Sequence, residues 1–159
     1  MTSFRIGQGM DIHPFAMDRP LVLGGVQIDY PKGLDGHSDA DALSHAICDA
    51  LLGALSLGDM GQHFPDTDPQ WKGKSSLCFV DHVVRLLKEK GWQISNVDST
   101  ILTQEPILRP YIEMMREKLA ATMRLEKDQV SIKATRPEKL GALGRKEGLL
   151  ALATALIFR

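Results

Sequence analysis

Asp11 and His13 stand two residues apart in Gly9-Met10-Asp11-Ile12-His13-Pro14, and His37-Ser38-Asp39-Ala40-Asp41 leads into a segment carrying His45. Three of the five histidines therefore fall between residues 13 and 45, among several carboxylates. Imidazole and carboxylate together suit zinc, and three protein ligands leave a fourth position open for chemistry. If these side chains converge, the chain is a metal-dependent enzyme. Asp-x-His alone fits capped or hydrogen-bonded residues equally well, so the reading depends on the elements that carry it.

Residues i and i+2 of a strand project to one side, so Asp11 and His13 on a strand can grip one ion. Phe4 to His13 alternates loosely and is expected to form that strand, loosened by its glycines. Pro20 to Tyr30 reads as two short strand pieces bent at Gly24-Gly25. Asp39 or Ser38 can cap a helix over roughly 40–57, whose buried stripe is Leu43, Ala46, Ile47, Ala50, Leu51, Ala54 and Leu57. Asp41, His45 and Asp49 follow at i, i+4, i+8 on another face. A polar stripe on a mainly apolar helix needs solvent or a ligand, and His45 there can supply a third ligand.

Gly58 to Lys74 reads as a long loop with little apolar content, a kind of segment that tends to be functional. Ser75 or Ser76 then opens a helix to about Lys90, with Leu77, Val80, Val83, Val84 and Leu87 inward. Trp92 to Leu102 reads as a strand, 107–123 as a helix after Pro106, and Gln129 to Ala134 as a strand. Leu149 to Phe158 fits helix or strand on pattern alone, and closing an alternating β/α chain favours strand. No repeat, low-complexity segment or linker divides the chain, so residues 1–159 are expected to be a single domain.

The remaining motifs each have two readings. Free amides at a helix N-terminus, with the Ser38 hydroxyl and the His37 imidazole, can hold a phosphate, or Ser38 is a simple cap. Asp59 with Gly61, and Asp66 with Asp68, suit Mg²⁺ or Mn²⁺ beside a diphosphate, or are ordinary turn residues. Thr135, Arg136, Arg145 and the lysines beside them could bind phosphate and Glu138 a divalent ion, or the whole stretch is a solvated charged loop.

The apolar fraction of 43%, charged fraction of 25% and net charge of -1 give no reason to expect nucleic acid or an anionic membrane as partner. Cys48 and Cys78 lack CxxC spacing and are expected to be buried, reduced thiols. No signal-peptide pattern and no apolar run near the ~20 residues of a membrane span is visible, which makes the cytoplasm the expected compartment.

Taken in order, the motifs stop looking independent. Arg5-Ile6-Gly7-Gln8-Gly9-Met10-Asp11-Ile12-His13, Leu23-Gly24-Gly25, Gly36-His37-Ser38-Asp39-Ala40-Asp41, Asp49-Ala50-Leu51-Leu52-Gly53-Ala54, Gly58-Asp59-Met60-Gly61, Phe64-Pro65-Asp66-Thr67-Asp68, Asn96-Val97-Asp98 and Glu138-Lys139-Leu140-Gly141 follow one another. The chain resembles the 2-C-methyl-D-erythritol 2,4-cyclodiphosphate synthases of the non-mevalonate isoprenoid pathway, over nearly its whole length. That resemblance implies an α+β fold, a mixed β-sheet with helices packed on one face. It also implies a homotrimer with active sites between subunits. The implied reaction cyclises 4-diphosphocytidyl-2-C-methyl-D-erythritol 2-phosphate and releases CMP, a metal-dependent phosphorus–oxygen lyase activity. Carried over by motif, Asp11, His13 and His45 would bind Zn²⁺, and Glu138 would hold the Mg²⁺ or Mn²⁺ bridging the substrate diphosphate. His37 and Asp59 would stand at the reacting groups, and Ser38, Gly61, Asp66, Thr135, Arg136 and Arg145 would bind substrate.

Some positions depart from the family pattern. Gln-x-Pro-Lys-Leu becomes Gln104-Glu105-Pro106-Ile107-Leu108, leaving Arg109 as the nearest cation, and Thr-x-Glu becomes Arg136-Pro137-Glu138 after Thr135. Met10, Ala142 and Leu152 stand where some members line a central trimer cavity with aromatic and acidic residues, so isoprenoid-diphosphate binding there is not expected. Two rivals remain: a divergent member using another phosphorylated substrate, and a non-enzymatic trimeric scaffold.

Overall fold

The computed structural model describes residues 2–71 and 73–159. Strand β1 (Phe4–Ala16) begins the chain, followed by β2 (Leu21–Leu23), β3 (Val26–Ile28), β4 (Gly33–Leu34) and helix α1 (Ala42–Leu55). Helices α2 (Met60–His63) and α3 (Ser76–Glu89) precede β5 (Gln93–Leu102), then come α4 (Ile112–Met123), β6 (Val130–Thr135), α5 (Gly141–Gly144) and β7 (Gly148–Phe158). The main sheet has the order β4-β1-β7-β5-β6; β5 and β6 pair parallel and the other pairs are antiparallel. β2 and β3 form a separate hairpin bent at Gly24 and Gly25, both at positive φ. This is the mixed sheet with helices, an α+β fold, that the resemblance implied.

Alternation along the central strands decides where the core lies. Gly7 and Gly9 of β1, and Leu149, Ala151, Ala153, Ala155 and Ile157 of β7, are buried beneath α1. α1 answers with a row of Ala46, Ala50 and Ala54, all buried. A Cβ added at Gly7 would lie 1.9 Å from the Ala50 carbonyl oxygen, and one at Gly9 would lie 2.0 Å from that of Ala46. The two glycines were expected merely to loosen the strand. Instead they are where the helix backbone meets it, and that contact carries His45 to Asp11 and His13.

The other face of the sheet is apolar and uncovered in the single chain. Phe4, Ile6, Met10 and Ile12 of β1 are 61, 70, 58 and 56% exposed. Across the register they meet Phe158, Leu156, Leu152 and Leu150 of β7, which are only partly buried.

Several expectations need correction. The cap of α1 is Asp41, not Asp39 or Ser38. Its fully buried carboxylate accepts from the Ser44 amide and hydroxyl and from the Gly24 and Gly25 amides, so it ties the hairpin to the helix start. Burial pushes its pKa up, and these donors oppose the shift. Asp41 is thus no part of an open polar stripe. The helix expected from residue 107 forms only at Ile112, after a 3-10 turn over Arg109–Tyr111, because Pro110 has no amide to donate. The loop from Gly58 to Lys74 holds α2 and a 3-10 turn over Pro69–Trp71, and the charged stretch after Thr135 holds α5. On α3, Leu77 is only partly buried and Phe79 takes an inward place. Cys48 is buried as expected, but Cys78 is exposed, because it lies on the side of α3 away from Phe79, Val80 and Val83.

Candidate active site

Asp11, His13 and His45 each bring one ligand atom to within 4.8 Å of the others. The Asp11 carboxylate oxygen Oδ2 lies 2.9 Å from His13 Nε2 and 2.9 Å from His45 Nδ1. Burial opposes ionisation of Asp11, yet hydrogen bonds from the two imidazoles outweigh it and hold the carboxyl well below the usual carboxylate range. The same contact raises the pKa of His13. Three donor atoms therefore converge on one point, and a divalent ion there would displace the protons shared between them.

The second nitrogen of His13 settles which one faces that point. Nδ1 lies 2.5 Å from the Asp35 carbonyl oxygen, which can only accept, so Nδ1 keeps a proton there and Nε2, directed at Asp11, is the nitrogen that would coordinate. Strand β1 continues past His13 and pairs Phe15 with Leu34, which delivers Asp35 to this position. The two-residue β4 was too short to be read from the sequence.

These residues form the floor of a cleft of about 370 Å³, a size that suits a small molecule. His37, Ser38, Gly61 and Asp66 also line it, as does Asp49. Asp49 is held by the Met60 amide at 2.8 Å, and burial raises its pKa. Its spacing four residues after His45 was the signal for it. One wall is aromatic: Phe64 stacks on Phe79 at 4.7 Å between ring centroids, and Trp71 meets Phe79 edge-on at 5.5 Å. Nothing in the periodicity of α3 separated Phe79 from an ordinary core residue.

Other candidate residues lie elsewhere. Asp59 is exposed and caps α2 through the Gln62 amide at 3.1 Å, outside the cleft lining. Thr135 and Arg136 line a second, smaller cleft of about 130 Å³ with Thr103, Ile107 and Arg109. Glu138 is exposed in a left-handed conformation with φ 51°, and Arg145 pairs with Glu147 at 2.6 Å. One row of the sheet register, Ile12–Leu150–Leu102–Thr135, joins the two clefts. Along that row β1 and β6, the strands beside the two clefts, are three strand spacings or about 14 Å apart.

A mixed sheet with a two-histidine, one-carboxylate group at the seam of strand and helix defines a class of candidate metal-dependent enzymes, and comparison with known proteins narrows it. A sequence model of the YgbB family matches residues 4–158, and the chain belongs to that family. The 2-C-methyl-D-erythritol 2,4-cyclodiphosphate synthase of Synechococcus elongatus is 56% identical over all 159 residues, covering 99% of that protein. Among solved structures, a 2C-methyl-D-erythritol-2,4-cyclodiphosphate synthase described as bound to CDP is 37% identical, with a TM-score of 0.89, over 96% of this chain and 99% of that one. The bifunctional IspDF of Campylobacter jejuni matches with a TM-score of 0.96 and 38% identity; the chain spans 43% of its length.

Proposed function

We propose that this chain converts 4-diphosphocytidyl-2-C-methyl-D-erythritol 2-phosphate to 2-C-methyl-D-erythritol 2,4-cyclodiphosphate and CMP. The observation that carries this is the Asp11–His13–His45 group at the floor of a cleft, in a chain more than half identical to a full-length synthase. Asp11, His13 and His45 would hold Zn²⁺, which supplies a Lewis acid for phosphate oxygens. One carboxylate and two imidazoles suit that ion.

The 2-phosphate oxygen attacks the β-phosphorus of the same molecule, the bond to the CMP oxygen breaks, and CMP leaves. Nucleophile and electrophile belong to one substrate, so the chain's task is to hold both phosphates in line against their mutual repulsion. His37 and Ser38 would receive the phosphate beside the metal group, and Gly61 leaves room for it at the cleft wall. Asp66 lines the rim, and Asp59 fixes α2 beneath it by capping. The aromatic wall of Phe64, Trp71 and Phe79 excludes water from one side.

The cytidyl end would lie in the second cleft, against Thr135 and Arg136, with Arg145 at its margin and Glu138 holding Mg²⁺ or Mn²⁺. Glu138 takes no ion pair among the described residues, which leaves its carboxylate free for a cation. Because the two clefts lie against strands three spacings apart in one chain, the complete site would use the metal half of one subunit and the nucleotide half of its neighbour in a homotrimer. The uncovered apolar sheet face supports that assembly, since so many exposed large apolar side chains are unusual on a lone domain. Ile6→Glu should therefore give monomers in sedimentation velocity, with little cost to the lone fold, where Ile6 is already 70% exposed. No helix among the described residues is long and apolar enough to cross a membrane, which is compatible with cytoplasmic work.

The direct experiment is incubation of the zinc-loaded protein with the cytidyl substrate and Mg²⁺. CMP and cyclodiphosphate should appear in equal amounts. Absence of both, with zinc bound, sinks the proposal.

A further inference from the structure

The third metal-binding candidate, His45, has a second nitrogen whose surroundings the proposed reaction does not use. Nε2 lies 2.8 Å from the hydroxyl oxygen of Ser76, a fully buried residue at the first position of α3. The Ser76 hydroxyl is in turn hydrogen-bonded to Oδ1 of Asp39. Asp39 also accepts from the Ser76 amide at 3.0 Å and the Asp41 amide at 3.3 Å. A carboxylate facing amide donors from both sides acts as an acceptor. The Ser76 proton must therefore point to Asp39, and its oxygen lone pair must face His45. That in turn requires a proton on His45 Nε2, so the proton that a cation would displace is the one Nδ1 directs at Asp11. Ser38, whose hydroxyl oxygen is 3.3 Å from Nε2, already accepts from the Ala40 amide and is the more distant partner.

We infer that Asp39 and Ser76 are positioning residues for the metal centre, a directional hydrogen-bond chain that locks His45 in the one tautomer able to coordinate through Nδ1. This rests on the proposed zinc enzyme and deepens it. Outer partners of this kind hold ligating imidazoles at their angle and raise their basicity. The chain is built from distant sequence, because residues 36–39 and 73–76 are stitched together. The Asp39 amide donates to the Lys74 carbonyl, and the Gly73 amide to that of His37, each at 3.2 Å. The orientation of His45 thus depends on how the loop bearing Asp66 and Trp71 joins α3.

The test is a zinc titration of the metal-free protein against a competing chelator. Ser76→Ala removes the acceptor. Asp39→Asn places an N–H group against one of the existing donors whichever way its amide turns. Each should weaken zinc about 10- to 100-fold. The double variant should bind no more weakly than the worse single one, because both act through the same chain. In the zinc-loaded protein the His45 Nε2 proton should exchange slowly with water by NMR, and rapidly in Ser76→Ala. Zinc affinity in Ser76→Ala within about twofold of the unaltered protein would overturn the inference, as would losses that simply add in the double variant. Turnover by the unaltered, zinc-loaded protein tests the synthase reading separately, so the two can fail independently.

Discussion

His45→Ala should remove bound zinc and lower CMP release by about a thousandfold or more, the several kcal/mol that a Lewis acid gives to charge in a phosphoryl transition state. The two remaining side chains of the proposed site, Asp11 and His13, share one strand and approach from one side only. A strand pair without the helix residue cannot surround an ion. The variant should nonetheless stay folded, because α1 is held to the sheet by Ala46, Ala50 and Ala54 and not by the imidazole. The measurements are zinc per chain, CMP release and sedimentation on one preparation. Zinc loss with activity within tenfold of the unaltered enzyme would show that the ion is structural.

Gly9→Ala should do the reverse, damaging the scaffold first and the site as a consequence. The new methyl would lie 2.0 Å from the Ala46 carbonyl oxygen, 2.6 Å from the Ala50 amide nitrogen and 2.8 Å from the Asp49 Cβ. Two of these are backbone atoms, which cannot turn aside as a side chain can, so helix and strand must separate. Overpacking of this kind costs about 3 kcal/mol, the upper part of its usual range, and a fall of about 6–12 °C in melting midpoint for a chain of this size. Zinc affinity should fall too, since any separation draws His45 away from Asp11. Gly53→Ala on the same helix is the matched control. A Cβ there would meet only the Gln8 carbonyl oxygen at 3.8 Å, so helix propensity should raise stability by about 0.5–1 kcal/mol. A similar effect of both variants would refute the seam as the determinant.

The contrast between these positions shows what was legible beforehand. Asp11 and His13 were readable because a strand's period of two puts neighbours-but-one on a single side, and His45 because helical spacing set it apart from the apolar stripe. The strands and main helices followed from the same periodicities. Gly9 was not readable as a contact point, since a glycine in a strand signals equally a bend, a bulge or a close approach, and only the helix above it distinguishes them. Asp35 and Ser76 were illegible as outer partners of the histidines for a related reason. Their roles arise from segments 22 and 31 residues away in the chain. Asp41 caps α1 through the Ser44 amide, a local pattern, but its further donors come from the Gly24-Gly25 bend, which no local pattern announces.

The separation of the two clefts along the row from Ile12 to Thr135 has a consequence in heredity. If the site is shared between neighbours in a trimer, as proposed, a chain disabled at His45 still carries a sound nucleotide half, and one disabled at Arg136 a sound metal half. A cell making both would assemble mixed trimers in which about a quarter of the sites pair two sound halves, if subunits associate at random. Two alleles, each inactive alone, would then restore the reaction between them, while two alleles damaged in the same half would not.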